Sequence, residues 1–585
     1  MSGRSSAVHV AKIDRKVGDR VYSYHVLRRS YREDGKVKHE TLSNLSALPM
    51  HAIEALRRAL AGDVVVSADD AVEVERSRPH GHVAATLGML RKVGLEALLG
   101  SRPSRERDLC VAMIVARVVM AGSKLSTARG LQGATLKSTL GELLGLECAT
   151  EDDLYGAMDW LIERQSRIET ALAKKHLQDG SLVLYDLTST YFEGHTCPLA
   201  RRGHSRDGKR DKVQIVFGLL TDADGRPVAV EVFEGYSGDP TTLAPQLEKL
   251  RERFGLRHVI LVGDRGMITE ARLREDVRPT EGIDWITALR APAIAELVST
   301  GALQLSLFDE RDLAEIRSPA YPDERLVACK NPALAEKRRC KRLELLAATE
   351  ADLEKVADAT RRARRPLRGA AQIGLRVGRV LGRHKMAKHF EVTFSETGFT
   401  YARKEVQIAE EAALDGIYVV RTSVPATTLG TAEVVASYKR LSKVERAFRC
   451  IKTIDLKVRP IHHRTADRVR AHVFLRMLAY YVEWHMREAL RPLIFDDEDP
   501  AAGESRRRSV VAPAMRSEAA DDKAQTRRNS VGDTVQSFRS LLDDLGTLAR
   551  VRFRITGTDQ TFDRLTTPTP IQRRAFDLLG VSTLA

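Results

Sequence analysis

The fold is decided by the stretch SLVLYD (181–186), VQIVFGLLTD (213–222), PVAVEVFEG (227–235), TTLAPQLEKLRERFG (241–255), HVILVGD (258–264) and DWITALR (284–290). Five of these runs have the apolar, β-branched composition of buried strands, and the run at 241–255 has the three-and-four spacing of a helix. Turn residues Asp222, Asp224 and Gly225 separate the second run from the third. Three strands followed by a helix and further strands predict a mixed α/β core.

The chain on either side of this stretch changes pattern several times. Residues 8–45 hold short β-prone runs with an Asp-Gly turn at 34–35, whereas residues 83–180 place apolar side chains at helical spacing. After Asp496 the chain is polar and lacks periodicity. The predicted divisions are a small β-rich unit (1–80), a helical layer (81–180), the first part of the core (181–291), an inserted α+β subdomain (292–414), the second part of the core (415–495), a flexible linker (496–535) and a C-terminal segment (536–585).

The composition favours a folded protein with a polyanionic partner. The 585 residues include 94 Lys and Arg against 79 Asp and Glu, which gives a formal net charge of +15. Hydrophobic residues at 43% exclude a disordered or collagen-like chain, and aromatic residues at 5% leave few platforms for stacking single-stranded bases. A protein that binds mainly by stacking bases is therefore disfavoured.

The cysteines and the apolar runs indicate the compartment. The six cysteines are too scattered for a disulfide scaffold or a C-x-x-C zinc site, which favours a reducing cytosol. The best apolar run, 109–122, is interrupted by Arg117 and is too short to span a bilayer. We therefore expect a cytoplasmic protein that does not enter a membrane.

Two aspartates follow buried-looking strands. Asp186 ends the apolar run of LVLYDLTSTYFEG, and Asp264 lies between Gly263 and Gly266 in HVILVGDRGM. A carboxylate at the end of a buried strand is a position from which α/β proteins present metal ligands. Read alone, an aspartate at the end of a strand is more often a cap or a turn residue.

A third acid lies on a predicted helix at 433–453. Tyr438, Glu445 and Lys452 recur at seven-residue steps, which return to nearly the same helical face, and Arg449 lies on that stripe. By itself such a stripe is typical of a solvated, salt-bridged surface. Together with the two aspartates, however, Glu445 completes a set of three carboxylates suited to two Mg²⁺ ions.

These motifs resemble a known family. The ordered set D-L-T-S-T-Y-F-E-G, G-D-R-G-M and Y-x2-L-x3-E-x6-K is similar to the DDE transposases of bacterial insertion sequences, in the insertion-sequence-four-like branch with a Y-x2-R-x3-E-x6-K signature. The likeness extends from about 30 to 490. It implies an α/β, ribonuclease H-like core with an inserted β-containing subdomain between the second aspartate and the glutamate. It also implies Mg²⁺-dependent DNA cleavage and strand transfer by a protein associated with the nucleoid.

The resemblance assigns roles to individual residues. Asp186, Asp264 and Glu445 match the catalytic and metal-binding triad, which would hold two Mg²⁺ ions or Mn²⁺ in their place. Tyr438 and Lys452 match positions that contact DNA phosphates near the cut. The implied partners are double-stranded DNA, both the terminal inverted repeats and the target, and a second copy of the chain. The β-rich unit and the helical layer are the candidates for binding the DNA ends.

One signature position departs from the family. Leu441 stands where the signature has arginine, and the neighbouring Arg440 is about 100° away around a helix. Arg449 is better placed for a phosphate contact.

The loop GHTCPLARRGHSRDGKRDK (194–212) has two readings. Its basic residues, Arg210 and Lys212 among them, would lie near Asp186 and follow DNA phosphates, although a solvated loop is equally compatible with this composition. His195, Cys197 and His204 could suggest zinc, but a fourth ligand is missing from the motif. The basic, substrate-side reading is therefore preferred.

Three functions remain open from the sequence. A transposase that cuts and joins DNA fits all three acids. A transposase-derived DNA-binding regulator would bind without cutting. A structure-selective nuclease of the same fold would cut without strand transfer.

Overall fold

The computed structural model describes residues 7–33, 35–63, 71–135, 137–194, 196–209, 211–556 and 558–584. These residues form two compact units. The smaller comprises Met1–Ser77 and Arg550–Thr566, and the larger comprises Arg78–Ala549 and Thr567–Ala585. Each unit therefore combines segments that lie far apart in the sequence.

The smaller unit contains an antiparallel three-stranded sheet. Its strands Ala7–Val17, Arg20–Glu33 and Lys36–Asn44 pair in chain order. The sharp turn expected at 34–35 begins at Asp34, which lies outside the described residues. Gly35 follows with a φ of 79°, a left-handed conformation that glycine adopts without steric cost.

A second three-stranded sheet of this unit uses both ends of the chain. Ala549–Ile555 lies between Val72–Pro79 and Thr561–Leu565. The helix Met50–Leu60 follows the first sheet in sequence. The sequence patterns alone do not predict that the C-terminal segment, 536–585, pairs with strands near the N-terminus.

The larger unit is organised around one eight-stranded mixed sheet. Its strands in chain order are β1 (Ser181–Tyr191), β2 (Gln214–Thr221), β3 (Pro227–Glu234), β4 (Val259–Gly263), β5 (Ile283–Ala288), β6 (Leu313–Ile316), β7 (Arg325–Lys330) and β8 (Ile417–Thr422). The spatial order is β6-β7-β8-β5-β4-β1-β2-β3. β1, β4 and β5 run parallel, and the other neighbours pair antiparallel.

Helices cover the sheet. All eight residues of β2 and all five of β4 are buried, as expected for continuous apolar strands inside a layered α/β protein. The long helix Ala466–Ala489 packs against β3 and against the helices Gly81–Lys92, Arg105–Val119 and Glu151–Ile162. The helices of the larger unit that precede the sheet in sequence are Gly81–Lys92, Leu95–Leu99, Arg105–Val119, Lys124–Leu131, Leu140–Leu143, Glu151–Ile162 and Gln165–His176.

Further helices follow within and after the sheet. They are Leu243–Glu248, Glu270–Arg272, Ala291–Ser299, Pro332–Arg361, Ala370–His384, Glu405–Ala413, Thr431–Lys439, Leu441–Arg449, Pro500–Ser505, Glu518–Thr526, Phe538–Gly546 and Pro570–Leu579. Within the described ranges, no single helix is long and apolar enough to cross a membrane. Arg105–Val119 and Lys124–Leu131 pass that test only as a pair bent by 104°, by length and composition alone.

The residues predicted as an insertion, 292–414, divide between two structures. β6 and β7 belong to the core sheet, where β7 pairs with β8. The helix Ala291–Ser299 packs in one apolar cluster with residues of β6, β7 and β8. Residues 332–408 form a separate apolar cluster, in which the helices Pro332–Arg361 and Ala370–His384 pack together beside the hairpin Phe390–Phe394 and Phe399–Arg403. The hydrophobic pattern could not distinguish β6 and β7 from the separate subdomain, because the strands and the subdomain elements are each apolar on one side.

The helix predicted at 433–453 is interrupted. It forms as Thr431–Lys439 and Leu441–Arg449, followed by a π-helical turn at Cys450–Ile454. At Arg440 the hydrogen bonding tightens, because the carbonyl of Arg440 accepts from Lys443, three residues on. Tyr438, Glu445 and Lys452, which recur at seven-residue steps, therefore do not lie on the face of one continuous helix.

The flexible linker predicted at 496–535 is wrong for the described structure. The segment contains the helices Pro500–Ser505 and Glu518–Thr526. Lys523 is buried and donates to the carbonyls of Arg491, Ile494 and Asp496. This segment is held by contacts of polar side chains with backbone carbonyls. Such contacts leave no apolar periodicity in the sequence, so the sequence pattern did not indicate that the segment packs.

Candidate active site

Asp186 and Asp264 lie side by side where the pairing of β1 with β4 ends. The last paired residues are Tyr185 in β1 and Gly263 in β4, and each aspartate is the next residue along its strand. The two strands run parallel, so both aspartates reach the same edge of that pairing. Asp186 was expected to end its strand, but β1 continues to Tyr191 because it keeps pairing with β2.

Close packing holds the segment around Asp264. A Cβ atom on Gly263 would lie 2.8 Å from the side chain of Ile268, so only glycine fits before this aspartate. The backbone N–H of Gly266 donates to Oδ2 of Asp264 at 3.3 Å. The carboxylate is thus oriented by the turn that follows it.

Glu445 approaches the same place from the helix Leu441–Arg449. That helix packs on β1 and is strongly amphipathic, so Glu445 lies on its exposed side. Tyr438, on the preceding helix, donates its hydroxyl to Oδ1 of Asp264 at 3.4 Å. The helix residues buried against the core are Leu441, Val444, Ala447 and Phe448.

The three acids share one cavity of about 640 Å³. Its lining also includes Tyr438, Arg206, Asp239, Met267, Asn331, Tyr418, Lys439 and Ser442. The cavity is therefore rich in oxygen atoms and hydrogen-bond donors, as expected of a site for a polar, charged substrate.

Asp186 carries the strongest electrostatic signal among these acids. Burial, together with the negative charges of Asp264 and Glu445, raises the pKa of Asp186 to about 7. The backbone N–H of Leu187, which donates at 2.7 Å, and the charge of Arg206 act in the opposite direction. Burial also raises the pKa of Tyr438, which therefore keeps its proton. Clustered, partly buried carboxylates of this kind are costly without a counter-charge.

The donor set fits a divalent cation. Carboxylate oxygens are the preferred ligands of Mg²⁺, and a cation would relieve the mutual repulsion of Asp186, Asp264 and Glu445. In the described part of the chain, one group of three His, Cys, Asp or Glu residues has its ligand atoms within 4.8 Å of one another. This group lies elsewhere, at Cys450, Asp455 and Glu483. The three acids of the cavity are thus spaced more widely than a single compact cage.

Sequence reasoning missed one pair at the cavity. Arg206 forms an ion pair with Asp239, and its backbone N–H donates to the hydroxyl of Ser189 at 2.9 Å. Among the basic loop residues that the structure describes, Arg206 is the one that lines the cavity of the acids. Gly238-Asp239-Pro240 reads as a turn, and only the folded sheet brings that turn beside the loop.

Lys452, predicted to contact phosphate, has its donors engaged by the protein. Its ammonium group donates to Thr188 Oγ1 at 3.1 Å and to the carbonyl of Ser189 at 2.7 Å, and pairs with Asp207 at 2.7 Å. Burial lowers the pKa of Lys452, and the pairing with Asp207 opposes this. Lys452 therefore anchors β1 and the basic loop in this structure.

Two other predicted phosphate contacts, Arg449 and Lys212, do not line the cavity of the three acids. Arg449 is exposed and lines a separate cavity of about 680 Å³ together with Arg446 and Arg487. Lys212 is exposed and pairs with Glu193 at 3.2 Å. Arg210 lies outside the described residues.

The structure gives no support to zinc in the loop as far as it is described. Cys197 is buried, and neither it nor His204 belongs to a compact group of three ligating residues in the described ranges. His195 lies outside those ranges.

Comparison with known proteins yields two family matches. Residues 178–482 match the family described as Transposase DDE domain, and residues 10–67 match the family described as IS1634 family transposase, N-terminal domain. A solved structure of a piggyBac transposase synaptic complex with hairpin DNA is similar over 80% of this chain and 79% of that chain, at 9% sequence identity and a TM-score of 0.33. No curated protein matches the chain.

Proposed function

Since this chain belongs to the DDE transposases of insertion sequences, we propose that it cuts DNA at the ends of its own element and joins the freed ends to target DNA in a Mg²⁺-dependent reaction. As a transposase it is an enzyme that acts on DNA, and the DDE domain is a divalent-metal domain. The IS1634 match refines the insertion-sequence-four-like likeness seen in the motifs.

One observation carries the proposal. Asp186 and Asp264 follow the last paired residues of two parallel neighbouring strands, and Glu445 faces the same cavity from a helix. The strand order β3-β2-β1-β4-β5, with β1, β4 and β5 parallel, supports a ribonuclease H-like core for this site.

The proposed chemistry has two steps at this site. In the first, the oxygen of a water molecule bonds to phosphorus at the end of the element, the bond from phosphorus to the 3′ oxygen breaks, and that oxygen leaves as a 3′-hydroxyl after taking a proton. In the second, the 3′-hydroxyl attacks a phosphorus of the target and displaces its bridging 3′ oxygen, which takes a proton in turn.

Each residue of the cavity has a proposed task. Asp186, Asp264 and Glu445 would hold two Mg²⁺ ions, or Mn²⁺ in their place, which when bound activate the attacking oxygen and neutralise charge on the phosphate. Tyr438 orients Asp264 through its hydroxyl. Arg206 lies where it can lower the negative potential met by an incoming phosphodiester.

The test uses the full-length protein, Mg²⁺ and the duplex that flanks its own gene, with cuts mapped to single nucleotides. We expect paired cuts at inverted repeats that Asp264→Asn abolishes. The matched control is Asp309→Asn, an exposed aspartate outside the cavity that should leave cutting intact. Circular dichroism and DNA binding should be unchanged in both variants.

The alternatives give different results. Tight binding without cuts would instead support the regulator, and cuts without end specificity would support the structure-selective nuclease. Loss of the circular dichroism spectrum in Asp264→Asn would remove the evidence for a chemical role. Because two DNA ends must be joined, we also propose a homodimer on DNA, which sizing of the protein bound to end duplexes tests.

A further inference from the structure

We propose that a second cavity, of about 310 Å³ and lined by Arg117, Lys124 and Arg476, is a binding site for a phosphate group. None of the residues lining it lines the cavity of the three acids. It is formed by the helices Arg105–Val119 and Lys124–Leu131 on one side and Ala466–Ala489 on the other.

The three basic side chains are buried without a counter-charge. Arg117 and Lys124 are each 6% exposed and Arg476 is 2% exposed. No carboxylate lines the cavity, and within the described ranges none of the three forms an ion pair. Buried cations are normally paired with acids, because an isolated charge loses its hydration.

Their hydrogen bonds leave donors free for a ligand. Arg117 donates to the carbonyls of Gly122 at 2.6 Å and Leu456 at 3.5 Å, and Arg476 donates to the carbonyl of His472 at 3.1 Å. Nε of Arg476 has no partner, and among the described residues Lys124 has none either. A tetrahedral oxyanion offers both the acceptors and the negative charge that these groups lack.

Burial and the neighbouring positive charges both disfavour the charged forms of these side chains, and a bound anion would offset both effects. Burial lowers the pKa of Lys124 well below its usual value, and the charges of Arg476 and Arg117 lower it further. Burial lowers the pKa of Arg117 to about 10. An anion among the three cations would reverse these shifts, so binding and protonation would support each other.

Other features of the cavity suit a phosphate. The helix Lys124–Leu131 has Ser123 as its N-cap, and Ser123 and Lys124 line the cavity, so the N-terminal end of this helix, where its dipole is positive, lies at the cavity wall. His463 and His472 hydrogen-bond to each other, and burial holds the pKa of His463 at about 3, which leaves that ring neutral. The exposed Lys457 lies at the rim.

The phosphate can come from two sources that share this chemistry. It can be a phosphodiester of bound DNA or a free phosphate ion. A protein that cuts no DNA can still bind phosphate here, so this site and the proposed cleavage fail independently.

The first arm of the test measures thermal unfolding of the full chain without DNA. Sodium phosphate is compared with sodium chloride at equal ionic strength, in wild type and in Lys124→Met. We expect the Tm of wild type to rise with the logarithm of phosphate concentration, and the rise to be lost in Lys124→Met. Lys174→Met, which removes an exposed lysine of similar shape, should keep the rise.

The second arm measures DNA affinity against salt concentration. If the ligand is a phosphodiester, Lys124→Met should reduce the slope of log K against log salt by about one relative to Lys174→Met. An unchanged slope with a lost phosphate effect would identify a free phosphate ion. If Lys124→Met alters neither the phosphate-dependent Tm nor the salt slope, the proposal is overturned. Because Lys124→Met replaces a buried amine that has no counter-charge with an apolar side chain, we expect its Tm in chloride to equal or exceed that of wild type, so misfolding would be visible.

Discussion

Asp186→Asn should stabilise the metal-free protein while abolishing cleavage. In the folded chain burial and two neighbouring acids raise the pKa of Asp186 from 3.8 to about 7. A raised pKa means that the folded state holds the proton more tightly than the unfolded state, so this group lowers stability as the pH rises. The loss of stability begins near pH 3.8, the pKa of this group in the unfolded chain, and is complete above about pH 7.

The magnitude follows from the shift. About three pKa units at 1.36 kcal/mol each give about 4 kcal/mol as an upper limit. Asp186 is partly exposed, so we expect about 2 kcal/mol after allowance for solvent screening. Asparagine has nearly the same volume and can still accept from the N–H of Leu187, so the substitution chiefly removes the charge.

The assay is urea unfolding of wild type and Asp186→Asn in EDTA at pH 5 and pH 8. The advantage of the variant should be small at pH 5 and reach its full value at pH 8. Added Mg²⁺ at pH 8 should raise the Tm of wild type and leave that of Asp186→Asn nearly unchanged. Equal stability of the two proteins at pH 8 in EDTA, or an advantage independent of pH, would refute the assignment of a buried, repelled carboxylate. The exposed Asp309→Asn serves as the control and should show no such gain.

Two further predictions concern ion pairs that support the site. Arg487→Met leaves Asp455 and Glu483 buried without their partner and should lower the free energy of unfolding by about 3 kcal/mol at pH 8. The loss should be smaller at pH 5, because Glu483 takes up a proton there. Urea titration at the two pH values measures both losses. Lys452→Met removes the nearer of the two basic partners of Asp207, of which Arg459 is the other, and should make residues 196–209 more sensitive to limited proteolysis and reduce cleavage more than DNA binding. Unchanged proteolysis with a salt slope reduced by about one would instead identify Lys452 as a phosphate contact.

Strands and acids could be predicted from the sequence because local pattern determines them. Apolar runs before Asp186 and Asp264 are long enough to indicate buried strands, and the structure brings both aspartates to one cavity with Glu445. The spacing between Tyr438 and Glu445 pointed to a common site even though the helix between them is interrupted at Arg440. Local hydrogen bonding, which the apolar pattern does not encode, produces that interruption.

Features that depend on distant partners could not be predicted. The ammonium group of Lys452 is engaged by Asp207, more than two hundred residues earlier, so its position in a motif did not reveal its contacts. Lys523 packs through backbone carbonyls, which leave no trace in composition. Arg117 looked like an interruption of an apolar run, and only the assembled helices bring it beside Arg476.

The strand order of the smaller unit has a consequence for synthesis. Val72–Pro79 hydrogen-bonds to Ala549–Ile555, so the two strands are separated by 549 − 79 = 470 positions of chain. At about 5–20 residues per second on the ribosome, the early strand waits roughly 25–95 s for its neighbour. During that interval its edge is open to other pairings, which chaperones or the rest of the nascent chain must prevent. A chain released before position 549 would lack this sheet, so translation itself limits when the N-terminal unit is complete.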